Sequence, residues 1–389
     1  MDAGEFLPDD WREATLLGRI DFGAGPTPVV VRAGRVEDVS RVAPTTADLL
    51  NSHSPSARIP PGDDRGSLVE FDFRAVWSAD AKGSKTRLLS PIDLQCIKAA
   101  GVTFAVSTLE RVIEERARGD LAAAERIRRE LAARIGADLK SVRPGSDGAA
   151  KLKEALIADG LWSQYLEVAI GPDAEVFTKA PTLSSVGWGD YIGVRADSRW
   201  NNPEPEVVVV CDGHGRPRGA TLGNDVNLRD FEGRSALLLG KAKDNNASAA
   251  IGPFVRLFDT SFTLDDVRGA DVRLEIRGAD GFALEGKSSM SLISRDPSEL
   301  VSQTVGANHQ YPDGFVLYLG TMFAPTQDRG AQGLGFTHHV GDRVRVMTPT
   351  LGVLENEVTH SSEAPPWTFG LAALMRNLAG RGLLPGSNP

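Results

Sequence analysis

The chain has 389 residues, 41% of them hydrophobic and 24% charged, a balance that leaves room for two domains and excludes disorder, collagen and coiled coil as overall descriptions. Lys plus Arg total 43 against 52 for Asp plus Glu, a formal charge of −9, so no basic excess exists to neutralise a phosphate backbone and nucleic acid is not an expected partner. Two cysteines, Cys96 and Cys211, are too few for a disulfide scaffold and point to a reducing cytoplasm; the aliphatic run Val207–Cys211 is far too short for a membrane span, and the acidic start Met1-Asp-Ala-Gly-Glu lacks signal-peptide regions.

Residues 1–90 read as a small N-terminal α/β domain. Ala14–Phe22 and Thr27–Ala33 are predicted strands around the turn Gly23-Ala24-Gly25-Pro26, Thr45–Asn51 is a predicted short helix, and 52–66 is a loop rich in Ser, Pro, Gly and Asp. Residues 91–389 form the second unit. It opens with a helical insertion over about 109–160, with helices predicted at Leu109–Arg118, Asp120–Ile135 and Asp147–Ile157. From Tyr165 to Pro349 short β-rich runs such as Val207–Cys211, Val272–Ile276 and Val316–Leu319 alternate with turns. A last helix is predicted at Trp367–Leu378.

The segment Trp200–Glu206 carries Glu204 and Glu206, two apart on a strand and therefore on one face. The turn Asp212-Gly213-His214-Gly215 reverses the chain into a second strand. If the hairpin folds about residues 214 and 215, Asp225 arrives beside Glu204 and three carboxylates converge. Three like charges repel unless a cation neutralises them, and an all-oxygen set favours a hard ion: Mg²⁺, with Mn²⁺ or Ca²⁺ as substitutes. A slip of one residue in register would turn Asp225 to the other face. The alternative is a solvated edge strand, with which Pro205 is compatible.

Lys241 and Lys243 follow a helix-like run, Phe231–Leu239. A lysine beside a polarised carbonyl stabilises an enolate, or accepts a proton if its pKa is depressed. Glu110 and Glu114 are four apart on the first insertion helix and share a face; taken alone, that helix reads as charged and surface-facing. Gly320-Thr321 stands at a strand end, where an N–H and a hydroxyl can hold a carboxylate.

These residues, in this order, resemble the fumarylacetoacetate hydrolase superfamily over roughly residues 95–360. The resemblance runs through Gly101-Val102-Thr103-Phe104, Phe177-Thr178-Lys179-Ala180-Pro181-Thr182, Glu204-Pro205-Glu206, Asn224–Asp230, Lys243 with Gly252-Pro253-Phe254, Glu285–Met290, and Gly320-Thr321. It implies an α+β, β-rich fold with a mixed β-roll, Mg²⁺ on Glu204, Glu206 and Asp225, a catalytic role for Lys243, and a substrate contact at Thr321. Two departures stand out. Hydrolases of the family carry a water-activating His and Glu after the Gly101 segment, where this chain has Glu110 but no His, Ser107 standing in the expected slot. They also tend to have Gln where this chain has Glu232, which is taken with Thr321 as a substrate contact. Both departures resemble the 2-keto-3-deoxy-pentonate dehydratases of the superfamily.

That branch implies the conversion of 2-keto-3-deoxy-D-xylonate to 2,5-dioxopentanoate by a homodimer or homotetramer. A base removes the C3 proton, the enolate is stabilised, and the C4 hydroxyl leaves with a proton. Lys243 and Glu110 are the expected proton-transfer pair, with the roles of acid and base open and Glu114 as the alternative to Glu110. The competing reading is a C–C hydrolase of a diketo acid.

Overall fold

The computed structural model describes residues 5–52, 59–121, 123–124, 126–128, 142–329 and 335–384. Its centre is the stretch that the sequence makes most apolar. Val207–Val210 are β-branched, and strand propensity follows from that shape. Val207, Val209 and Cys211 face one core while Val208 and Val210 face another. A strand buried on both faces reads as an unbroken apolar run rather than an alternation.

Around it lies an eleven-stranded sheet. Its strands are Leu16–Asp21 (β1), Pro26–Arg32 (β2), Arg35–Asp38 (β3), Asp63–Ser67 (β4), Arg87–Leu89 (β5), Cys96–Ala100 (β6) and Val176–Ala180 (β7), which are joined by four more considered below. Tyr191–Val194 (β8) and Asn201–Asn202 (β9) come next in the chain. Pro205–Cys211 (β10) and Pro217–Asp225 (β11) form the carboxylate hairpin, followed by Asn227–Leu228 (β12) and Ala249–Leu257 (β13). Asp271–Arg277 (β14), Ala283–Ser289 (β15), Phe315–Tyr318 (β16), Arg343–Thr348 (β17) and Gly352–His360 (β18) complete the set. The large sheet runs β4-β3-β2-β1-β13-β11-β10-β16-β6-β7, with β5 also on β1; the second runs β15-β14-β17-β18-β8. Two pairings, β16 with β6 and β18 with β8, are parallel, so both sheets are mixed. Val209, Leu222 and Phe254 of the large sheet share a core with Leu274, Ile276, Val344 and Val346 of the smaller one. The architecture is the α+β, β-rich roll that the sequence leads one to expect.

The first ninety residues contain the expected strands and helix, but they build no sheet of their own. β1 lies antiparallel on β13, with Leu16 opposite Arg256 and Leu17 opposite Val255.

Three helical expectations change. The helix expected at Leu109–Arg118 spans Ala105–Ala117 and ends with Arg118 in the left-handed region, φ 52°. It is not surface-facing: Glu110, Arg111 and Glu114 are buried. One flank, Val112 and Ile113, packs on Tyr165, Leu166 and Trp200, and the charged flank turns inward to the carboxylates. The run Phe231–Leu239 is not one helix but short turns, Arg229–Glu232, Ala236–Leu238 and Leu239–Lys243. Most of the expected helix Asp120–Ile135 lies outside the described residues, and its described part, within 121–128, is helical. The last helix is Leu371–Gly380. No helix among the described residues is long and apolar enough to cross a membrane.

Candidate active site

The hairpin register decides whether the three acids meet. Pro205 stands opposite Asn224, Glu206 opposite Gly223, and the Asp225 N–H donates to the Glu204 carbonyl at 3.0 Å. A bulge between Val210 and Cys211 absorbs an irregularity beside the turn, leaving the carboxylate end in the expected register. Carboxylate oxygens of Glu204, Glu206 and Asp225 lie within 4.8 Å of one another, all buried.

Cations surround two of the three. Lys243, at the end of its short helix, places its ammonium 2.5 Å from Glu204 and 2.8 Å from Asp225. Lys179, fully buried on β7, reaches the other Asp225 oxygen at 2.8 Å. Arg111 donates to Glu204 and, at 2.7 Å, to Glu114, and lies 3.2 Å from Glu232. Burial works against ionisation of Glu204, but Arg111 and Lys243 override it and hold the carboxyl far below the ordinary range. Burial also opposes the Lys243 charge; Asp225 and Glu204 more than offset this and keep the ammonium protonated.

Glu206 differs. Its carboxylate accepts hydrogen bonds from the Gly320 N–H at 2.6 Å and the Thr321 hydroxyl at 3.2 Å, with no cation bonded to it among the described residues. Burial, then the charges of Asp225 and Glu204, push its pKa well above the usual carboxylate range. An excess of negative charge at that one oxygen-lined point is what a hard divalent cation relieves. The donor set therefore fits such an ion, held by Glu204, Glu206 and Asp225.

Above the acids lies a narrow cavity whose lining includes Ser107, Arg111, Phe177, Glu232, Lys243 and Thr321. It also includes Glu175, which the sequence reading passed over. Burial first, then the charge of Glu232, raise its carboxyl to about 7, against the partial opposition of Arg111 and Lys243. A carboxyl poised near neutrality in a cavity is a candidate proton carrier. Its sequence signal was slight: a lone acid just before the Phe177–Thr182 motif. Lys179 and Arg111 were likewise missed as site residues; a lysine inside an otherwise apolar strand and an arginine between two buried glutamates were the available clues.

Of the sequence-derived candidates, Lys243, Thr321 and Glu232 line the cavity, and Glu204 and Asp225 form its floor. Glu110 and Glu114 do not line it. Both Glu110 oxygens accept from Arg128, at 2.9 and 2.7 Å, and Glu114 is held between Arg111 and Arg229, the latter at 3.1 Å. The helix turns its i, i+4 acids behind Arg111 and offers Ser107 and Arg111 to the cavity. The Ser107 hydroxyl donates to the Phe104 carbonyl at 2.8 Å. Among the described residues that line the cavity, none is a histidine.

A solved structure of apo 2-keto-3-deoxy-D-arabinonate dehydratase superposes with a TM-score of 0.61 at 21% identity, covering 89% of this chain and 99% of that one. The chain shares that enzyme's fold. The same dehydratase, complexed with magnesium and 2,5-dioxopentanoate, superposes at TM-score 0.60 and 21% identity, again over 89% and 99%. A 5-carboxymethyl-2-hydroxymuconate delta-isomerase from Mycobacterium smegmatis is more distant, at TM-score 0.50 and 18% identity over 89% and 98%. In sequence the chain is 34% identical over 156 residues to the 2-dehydro-3-deoxy-D-arabinonate dehydratase of Saccharolobus solfataricus, which is 40% of this chain and 51% of that protein. It is 33% identical over 195 residues to a protein of Haloferax volcanii named "Probable 2-keto-3-deoxyxylonate dehydratase", 50% of this chain and 63% of that one. The chain thus spans between half and two thirds of the curated relatives it matches. No protein-family model matches it.

Proposed function

We propose that this chain is a magnesium-dependent dehydratase that converts 2-keto-3-deoxy-D-xylonate to 2,5-dioxopentanoate. The observation that carries the reading is the placing of Glu175, with its carboxyl near pKa 7, and protonated Lys243 around one cavity above the three acids, with no histidine among the described residues that line it. The names of the relatives and of the magnesium-bound structure support the same substrate class. Their two sugar-acid names converge chemically. Loss of water across C2 and C3 erases those stereocentres, so D-xylonate and D-arabinonate yield one 2-keto-3-deoxy-D-pentonate.

Glu204, Glu206 and Asp225 hold the Mg²⁺, which when bound polarises the 2-keto group and acidifies the C3 proton. Ionised Glu175 takes that proton. The Lys243 ammonium faces the developing enolate oxygen and stabilises its charge without giving up its own proton. Glu175, now protonated, returns the proton to the C4 hydroxyl, the C4–O bond breaks, and water leaves, giving a C3–C4 double bond conjugated to the 2-keto group; transfer of a proton from C5 to C3 then leaves an enol across C4 and C5, which tautomerises to the C5 aldehyde of the product. Arg111, Thr321 and Glu232 orient the substrate's polar groups. Glu175 takes the role that the sequence reading gave to Glu110, because Glu110 is engaged by Arg128. A homo-oligomer follows from the family resemblance, and a cytoplasmic site agrees with two free thiols, Cys96 and Cys211.

The test supplies the D- and L-forms of 2-keto-3-deoxypentonate with Mg²⁺ and couples product to a semialdehyde dehydrogenase. Semialdehyde formed from the D-form supports the reading. Pyruvate released from an acylpyruvate, with no semialdehyde, replaces it with the C–C hydrolase.

A further inference from the structure

We propose that Arg295, with Gln303, is a positioning residue that fixes the backbone leading into Glu175; this rests on the reading of Glu175 as the proton carrier. Arg295 is a buried cation that leans mainly on backbone carbonyls. Its guanidinium donates to the carbonyls of Gly171 at 2.6 Å, Val168 at 2.9 Å, and Pro172 and Asp173 at 3.4 Å each, and to the Glu299 carboxylate at 2.8 Å. Val168 belongs to the helix Gln164–Ile170, and Gly171–Asp173 is the loop that runs directly into Glu175.

Gln303, from the helix Pro297–Thr304, completes the clamp. It accepts from the Ala174 N–H at 2.6 Å and donates to the Pro172 carbonyl at 3.3 Å. Each residue from Gly171 to Ala174 therefore has a backbone group bound by Arg295 or Gln303. On the far side, the Gly101 N–H donates to the Glu175 carbonyl at 3.1 Å. Glu175 is thus tethered before and at its own position, which leaves its side chain one direction, over Gly101 into the cavity.

Removing a guanidinium from water is costly, and carbonyl dipoles at a helix C-terminus recover that cost when several converge. A surface cap would stabilise the helix as well without burying a charge. The placement gains meaning from the rest of the segment. Ser294, next to Arg295, donates through its N–H and hydroxyl to the Thr103 carbonyl at 2.8 and 2.9 Å. Thr103 stands just before Phe104, the cap of the helix that carries Ser107 and Arg111, and its own hydroxyl donates to the Leu319 carbonyl at 2.6 Å, beside Gly320 and Thr321. One segment, 293–303, braces the Glu175 wall and the Arg111 wall of the same cavity.

The experiment uses the full-length, Mg²⁺-loaded protein with 2-keto-3-deoxy-D-pentonate. Arg295→Gln, Arg295→Lys, Gln303→Ala and, in parallel, Glu175→Gln are compared for kcat, KM, Mg²⁺ affinity by calorimetry, and melting temperature. A misplaced proton carrier should lower kcat by about 10- to 100-fold in Arg295→Gln and Gln303→Ala, with KM and Mg²⁺ affinity little changed. Arg295→Lys, which keeps the charge but not the fork, should recover part of the loss. Wild-type kcat in both Gln303→Ala and Arg295→Lys would overturn the proposal, as would losses that only follow melting temperature or metal affinity. If Arg295→Gln fails to fold, Gln303→Ala decides. Full activity in Glu175→Gln removes the proton-carrier reading and this proposal together, whereas an inactive Glu175→Gln beside fully active clamp variants removes this proposal alone.

Discussion

Glu175 lies across Gly101 so closely that a β-carbon on Gly101 would sit 1.9 Å from the Glu175 carboxylate. The atoms in the way are the far end of a flexible side chain, so the clash is relieved by swinging the carboxylate aside rather than by moving backbone. Gly101→Ala should therefore cost little stability, within about 1 kcal/mol, while lowering kcat by about 100-fold because the carboxylate no longer faces the cavity. Calorimetric melting beside steady-state kinetics checks both halves; a variant with normal kcat shows that the approach of these two residues has no catalytic meaning.

Glu175→Gln should lower kcat by roughly 10²- to 10⁴-fold, the worth of a positioned proton carrier. In the wild type the carboxyl must be ionised to accept the C3 proton, so kcat/KM should climb through about pH 7 and level off above it. The stability sign runs the other way. The folded pKa lies above that of an unfolded Glu, so the stabilisation it contributes is complete below about pH 4 and is lost as pH rises through about 7. Over that window the wild type should lose roughly 3 kcal/mol at most relative to Glu175→Gln. Denaturant titrations of both proteins at pH 4.5 and pH 8, about the two ends of that window, measure the difference, and a pH-independent gap contradicts the assignment.

Glu206→Gln and Glu204→Gln should separate metal binding from folding. Glu206 has no cation bonded to it among the described residues and strains against Asp225 and Glu204, so Glu206→Gln should keep or raise the melting temperature while weakening Mg²⁺ by about tenfold or more. Glu204 is bound by both Lys243 and Arg111, so Glu204→Gln leaves buried cations short of a partner and should cost about 3–5 kcal/mol. Chelation should silence the wild type and Mg²⁺ should restore it; equal melting temperatures for the two variants, or activity after thorough chelation, count against this account.

Glu110→Gln should affect chemistry far less than Glu175→Gln, because Glu110 serves the bidentate pair with Arg128 that ties the 121–128 segment to the helix Ala105–Ala117. The expected result is faster hydrogen exchange in that helix, in the free protein and with a substrate analogue bound, and a fall in kcat of less than about tenfold, below the usual worth of a proton carrier. A loss of kcat matching that of Glu175→Gln would return the proton-transfer role to Glu110.

The hairpin was readable in advance because its information is local: a two-residue period, a turn of Asp212-Gly213-His214-Gly215, and acids at both ends whose alignment follows from folding the chain in half. The helix Ala105–Ala117 was harder. Its charges suggested solvent, and only the tertiary arrangement supplies Arg128, Arg229 and Glu204 as their partners. Glu175 was invisible for a related reason. Nothing in its own neighbourhood marks it, and its meaning comes from Gly101, seventy-four positions earlier, and from Arg295, which holds the loop before it.

The antiparallel seat of β1 on β13 has a consequence for the life of the polypeptide outside its active site. Without residues 1–90, the Val255–Leu257 end of β13 would be left with backbone N–H and C=O groups open to solvent, at a place where Val255 and Leu257 are fully buried in the intact protein. An unguarded apolar edge of that kind recruits strands from other molecules. The N-terminal strands therefore act as an aggregation guard, and a version trimmed to residues 91–389 should precipitate or form β-rich assemblies even though every residue of the cavity is still present.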